Sequence, residues 1–181
     1  MKKSICVVIV LAVVGFFSTW IWASAAKRLS LSQLVSGSDR VVVARLDAPG
    51  TSAWGPDRMR IYTTFTFEVE EDVAGSGPNQ VTIVQPGGRV GHLAQKTQGY
   101  PSFKAGNRLL LFLVHKQTAY RVVGLSQGVF AFHSQGEQVI VAQRIEGLSF
   151  VDDAGHPMLF EHDEALSKIR ALFAAKAGVS K

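Results

Sequence analysis

The fold turns on Met59-Arg60-Ile61-Tyr62-Thr63-Thr64-Phe65-Thr66-Phe67-Glu68-Val69-Glu70-Glu71-Asp72-Val73. Met59, Ile61, Phe65, Phe67, Val69 and Val73 fall on one side of a two-residue repeat, and Arg60, Tyr62, Thr64, Thr66, Glu68, Glu70 and Asp72 on the other. Successive side chains of an extended chain point to opposite faces, so the stretch predicts a strand with one dry and one wet face. It is longer than the usual strand of about 5–6 residues, and it should bend strongly, as barrel strands do.

Working outward, strand signals continue on both sides. Val41 to Leu46 is apolar except for Arg45, and Pro49, Gly50, Gly55 and Pro56 mark a loop between it and the long strand. Downstream, Gly75-Ser76-Gly77-Pro78-Asn79 turns the chain into Val81 to Val84. Arg108 to His115 is apolar on both faces and predicts a central, covered strand. Tyr120 to Val123, Val129 to His133 and Val139 to Ala142 follow, the last two joined by a hairpin loop over Ser134 to Glu137.

Helices flank this series. Ser30 and Gln33 have capping-box spacing, with Leu31, Leu34 and Val35 on one side and Gly37 as a stop. Glu161 to Lys176 carries Leu166, Ile169, Leu172 and Phe173 on one stripe, with acids at its start, Lys176 at its end and Gly178 beyond. About seven strand signals and one covering helix predict a mainly β fold. The expectation is a small barrel or rolled antiparallel sheet, OB-like, with a short N-terminal helix and a C-terminal amphipathic helix. It forms one domain over residues 26–181.

The first residues read as a secretory signal. Lys2 and Lys3 form a positive start, Ile5 to Trp22 an apolar run, and Ala23-Ser24-Ala25 the small residues that signal peptidase requires. The rival is a retained membrane anchor, since the apolar run reaches the short edge of spanning length. Cys6, the only cysteine, lies inside that run, so the exported part has no thiol, disulfide or cysteine-based metal site. The formal net charge is +5, and loss of Lys2 and Lys3 leaves +3. Arg40, Arg45, Arg58, Arg60, Arg89, Arg108, Arg121 and Arg144 read as scattered strand-flanking charges, with no block of the kind that marks a nucleic-acid tail.

No motif specifies a chemistry. Gly124-Leu125-Ser126-Gln127-Gly128 matches the G-x-S-x-G nucleophile elbow, but the apolar run Val129 to His133 behind it reads as strand where the elbow needs a helix. An enzyme reading would use Ser126 with His156 or His162 as base. Asp152, Asp153, His156, Glu161, His162 and Asp163 lack the spacing of a metal motif and suit turn and helix-start duties. Pro86 to His92 is glycine-rich without the lysine of a phosphate loop. It opens a connection to Gly106, which predicts either a loop folded over an open barrel end or a partner-contact loop. Trp54 sits among glycine, proline and serine, as a binding anchor or as a plug for the barrel mouth.

The order Val41-Val42-Val43-Ala44-Arg45, then Val69 to Gly75, Val81-Thr82-Ile83, and Phe103-Lys104-Ala105-Gly106 before Leu109 to Leu113 resembles a group of exported bacterial proteins. More distantly it is similar to the OB-type barrel of the tissue-inhibitor-of-metalloproteinases and netrin-like module. The resemblance covers roughly Leu29 to His133 and implies a barrel. Those inhibitors chelate zinc through an N-terminal cysteine and hold the module with disulfides. With no cysteine beyond Cys6, neither mechanism nor site residues carry over.

The expectation is therefore an exported, periplasmic or secreted binding module of the cell envelope, without cofactor, metal or catalytic residues. It would work through barrel-end loops with Trp54, Arg58, Arg89, His92, Tyr100 and Phe103. The partner expected is an envelope or extracellular protein, such as an exported protease, or an acidic polymer, and not nucleic acid. Intact mass spectrometry of the exported product should give a chain beginning at Ala26; a mass that includes Ile5 to Trp22 would mean a retained anchor.

Overall fold

The computed structural model describes residues 25–135, 138–145, 147–151, 157–158 and 163–179. The signal-like segment lies outside them, as do His156, Glu161 and His162. In chain order the elements are β1 (Ala25–Lys27), α1 (Leu31–Ser36), β2 (Arg40–Arg45), β3 (Thr51–Trp54), β4 (Ile61–Ala74), β5 (Gln80–Pro86), β6 (Gly88–Val90) and β7 (Leu93–Gln95). There follow β8 (Arg108–Lys116), β9 (Ala119–Val122), a 3-10 turn (Leu125–Gly128), β10 (Val129–Gln135), β11 (Gln138–Gln143), β12 (Ser149–Val151), β13 (Pro157–Met158), β14 (Asp163–Ala165) and α2 (Leu166–Val179).

Five strands close a barrel in the order β2-β4-β5-β9-β8 and back to β2. An odd ring cannot alternate direction throughout, so one neighbouring pair must be parallel. That pair is β5–β9, joined at Ile83 and Tyr120, while the other four are antiparallel. The OB-like, mainly β expectation is what the structure shows, with both helices present.

The long strand bends as its length demands. Along the β2–β4 ladder, Val41 faces Ala74, Val42 faces Asp72, Val43 faces Glu71 and Ala44 faces Val69. Val73 and Glu70 are thus extra residues, each a bulge that twists the strand and turns the ladder. The inner face of β4 runs through Ile61, Thr63, Phe65 and Phe67, all buried. Beyond the bulges, Val73 packs instead on the outside of the barrel.

Two apolar clusters result. Val42, Ala44, Leu46, Phe65, Phe67, Val81, Ile83, Leu109, Leu111, Leu113 and Val129 fill the barrel. Val41, Val43, Leu110 and Phe112 face the opposite way, under Leu31, Leu34 and Val35 of α1 and Leu166, Ile169 and Phe173 of α2. The capping box of α1 is present: Ser30 Oγ accepts from the Gln33 N–H and Gln33 Oε1 from the Ser30 N–H. β10, β11 and β14 extend the sheet sideways from β8.

Two expectations need correction. The loop before the long strand contains β3, which pairs with the first residues of β4. The C-terminal helix begins at Leu166, because Asp163–Ala165 is used as β14 to cover the open edge of β11. The apolar stripe of that helix lies as expected.

A buried cation ties β2 to the end of β4 and to the turn between β4 and β5. Arg40 is only 2% exposed; its Nε donates to Asp72 Oδ1 at 2.6 Å and its Nη2 to Asp72 Oδ2 at 3.1 Å and to the Pro78 carbonyl at 2.9 Å. The hydrogen bond to Asp72 holds the guanidinium above its ordinary range against the opposing pull of burial. Asp72→Asn strands this charge and should lower the unfolding free energy by about 3 kcal/mol, measured by urea denaturation.

Candidate binding site at one end of the barrel

β4 has 14 residues and β2 has 6, so the first part of β4 runs past its neighbour and needs another partner. β3 supplies it, setting Trp54 opposite Ile61 and Ser52 opposite Thr63. Directly opposed residues share a face, so Trp54 and Ser52 stand on the inner face of the overhang. β6 and β7 form a small hairpin that crosses this face.

Hydroxyl groups join the layers. Thr63 Oγ1 donates its one proton to the Gly87 carbonyl at 2.7 Å. Ser52 Oγ, 2.9 Å away, therefore donates to Thr63 Oγ1, and the Arg89 N–H donates to Ser52 Oγ at 3.3 Å. Gly88 is essential to this approach: a Cβ there would overlap Thr63 Oγ1 and Ser52 Oγ, and its φ of 136° is one that other residues avoid. Gln95 fixes the second strand of the hairpin, with Oε1 accepting from the Ile61 N–H at 2.6 Å and Nε2 donating to the Met59 carbonyl at 3.1 Å.

The six residues expected to bind surround this overhang in three pairs. Trp54 and Arg58 line a notch of about 440 Å³ at the tip between β3 and β4. Arg89 and His92 are exposed on the crossing hairpin, His92 at its turn. Tyr100 and Phe103 line a second pocket of about 270 Å³, whose other walls include Thr63, Phe65, Gln85, Gly88, Lys96 and Lys104. Phe103 has a packing duty too. Its ring meets Phe65 and Phe67 edge-on, each at 5.1 Å between centroids, and so plugs the end of the barrel. The long connection is therefore folded over the barrel mouth while still exposing Arg89, His92 and Lys96.

Ser126 stands elsewhere and is no nucleophile elbow. It is fully buried in the 3-10 turn, its N–H donating to the Gly99 carbonyl at 2.9 Å, and the turn leads into strand β10. An acyl-transfer serine must be exposed on a strand-to-helix turn. The neighbouring Gln127 shows what the motif does: its side chain accepts from the Leu29 N–H at 2.7 Å and donates to the Lys27 carbonyl at 3.2 Å, anchoring the segment before α1.

Charge distinguishes the overhang from the rest of the surface. Arg40, Arg45, Arg108 and Arg170 pair with Asp72, Asp47, Glu70 and Glu71. Among the described residues no ion pair engages Arg58, Arg60, Arg89, Lys96 or Lys104, all of which are exposed. Asp57, the one acid over residues 51–67 and in the β6–β7 hairpin, is used locally, accepting from the Met59 N–H at 3.0 Å. The exposed large apolar side chains of the described residues are Trp54, Met59 and Leu93, at 38%, 74% and 60% exposure, and all three belong to these hairpins.

Arg60, Lys96, Lys104, Met59 and Leu93 were not among the expected binding residues. A signal for the cations was present: no Asp or Glu occurs between Asp72 and Glu137. Reading the basic residues alone as scattered misses it, because the segregation lies in the acids.

Among the described residues no group of His, Cys, Asp and Glu could hold a metal ion, and no helix is long and apolar enough to cross a membrane. Comparison with protein-family models, curated proteins and solved structures finds no match to this chain.

Packing and exposure make opposite demands on these side chains. Phe103→Ala should lower the unfolding free energy by about 2 kcal/mol through lost burial. Met59→Ser and Leu93→Ser should each leave it within about 0.5 kcal/mol. Urea midpoints of the three variants check this.

Proposed function

We propose that the chain is an exported binding module of the cell envelope that engages an anionic partner through the overhanging end of its barrel. One observation carries the reading: the exposed apolar groups Trp54, Met59 and Leu93 share one end of the barrel with Arg58, Arg60, Arg89 and Lys96, exposed cations that make no ion pair among the described residues. Exposed large apolar groups cost solubility unless something covers them. Tryptophan and arginine are also the residues that most often dominate binding energy. Exposed cations around them draw an acidic partner in and set its approach.

Fold analogy points the same way, as analogy only. OB-type barrels bind ligands on the face of their second and third strands and on adjoining loops. Here those strands are β4 and β5, and both line the pocket beneath the long connection. The export part of the proposal rests on the sequence of Met1 to Ala25.

The test is capture from a native envelope extract on the immobilised chain (Ala26 onward), beside a variant carrying Trp54→Ala, Arg89→Ala and Tyr100→Ala. A component retained by the native chain, lost with the variant and released by raised salt supports the proposal. Equal retention by both chains overturns the placement of the site.

A further inference from the structure

Met59 and Leu93 are the most exposed large apolar side chains of the described residues, and both are held at turns. In the β3–β4 hairpin the Gly55 N–H donates to the Arg60 carbonyl at 2.7 Å and the Arg58 N–H to the Gly55 carbonyl at 2.9 Å. The Asp57 carboxylate accepts from the Met59 N–H. These bonds close a tight turn and present Met59 at its tip, between the exposed Arg58 and Arg60. Leu93 opens β7, directly after the turn at Gly91 and His92.

The two turns are tied together. Gln95 Nε2 donates to the Met59 carbonyl at 3.1 Å, so β7 lies against the turn that carries Met59. Leu93 shares a strand face with Gln95, about 7 Å along the strand. Met59 and Leu93 therefore belong to one apolar rim, and Trp54 at the end of β3 is its third member. Arg58, Arg60, Arg89 and Lys96 flank these three, all exposed and with no ion pair among the described residues.

This combination narrows the partner. An acidic polymer supplies charge without apolar depth and leaves Met59 and Leu93 in water. A protein partner needs a hollow matched to each tip and acids matched to four cations. An anionic bilayer meets both demands without matched shape: a plane of phosphates for the cations, and hydrocarbon just beneath it for the tips. Tryptophan favours that boundary, and arginine and lysine reach phosphates from buried stems.

The chain also enters the domain on this side. Gln127 holds the Lys27 carbonyl and the Leu29 N–H, and the adjoining Ser126 N–H donates to Gly99, within the connection that covers the barrel mouth. The apolar run Ile5 to Trp22 ahead of this entry is membrane-seeking, whether as signal or as anchor. We propose that the overhang docks on the anionic surface of a lipid bilayer. Met59 and Leu93 insert among the acyl chains, Trp54 lies at the interface, and Arg58, Arg60, Arg89 and Lys96 meet lipid phosphates. The proposal rests on the reading of the barrel end as the binding face, and it requires no residue before Ala26.

The experiment uses the chain from Ala26, in which Trp54 is the single tryptophan and reports from the site itself. Mixed vesicles of phosphatidylglycerol and phosphatidylcholine should shift its emission to the blue, and brominated acyl chains should quench it. Vesicles of phosphatidylcholine alone, and dextran sulfate, should do neither. Met59→Ser/Leu93→Ser should weaken partitioning about tenfold with little change in urea midpoint. Arg58→Gln/Arg60→Gln should weaken it about tenfold and flatten its salt dependence. If the mixed vesicles leave Trp54 unquenched, or bind the Met59/Leu93 variant as well as the native chain, the membrane proposal is overturned. If capture from the envelope extract is then still lost with the Trp54/Arg89/Tyr100 variant, the face stands and its partner is a protein or polymer. If that capture is also unaffected, the binding face itself is misplaced.

Discussion

β2 and β8 lie side by side and are buried on both faces, and the architecture is arranged around that shared wall. Val42 and Ala44 stand opposite Leu111 and Leu109 and point into the barrel. Val41 and Val43 stand opposite Phe112 and Leu110 and point outward beneath the helices. Each fully buried aliphatic or aromatic side chain contributes about 1.5–3 kcal/mol, so neither face can be left to water. The outward face therefore requires α1 and α2, and the inward face requires closure through β4, β5 and β9. A two-faced wall needs two covers, which is why a five-strand barrel here carries helices and a lateral extension.

Closure sets the position of the exposed end. β4 is bulged at Glu70 and Val73, and these bulges let its second half follow β2 around the barrel. Its first half then projects beyond β2 and recruits β3 and the β6–β7 hairpin as partners. Stability of this overhang comes from hydroxyl and amide hydrogen bonds at Ser52, Thr63 and Gln95 more than from a deep core. Trp54, Met59 and Leu93 stay exposed at this end of the molecule.

Charge follows the same division. The acidic residues of β4, from Glu70 to Asp72, meet arginines of β2, β8 and α2 across the curved half of the barrel. Among the described residues no comparable acid reaches the overhang, and its cations make no ion pair there. One end of the molecule is thereby neutralised by its own ion pairs while the other keeps its positive field.

Much of the fold was legible because local periodicity records burial. The alternation through Phe65, Phe67 and Val69, the unbroken apolar run of β8 and the capping box at Ser30 each fix a local conformation whatever lies around them. Short strands β3, β6 and β14 left no such mark, since three or four residues carry too little periodicity and their pairing is set by neighbours distant in sequence. Of the binding candidates, Trp54 was legible by its place among glycine, proline and serine, and Arg89 and Tyr100 only by lying in the long glycine-rich connection. Only the tertiary structure separated Phe103, which packs inside, from Met59 and Leu93, which do not. Only it showed Ser126 sealed in a turn, because exposure is a property of what folds over a residue, and sequence spacing does not encode that.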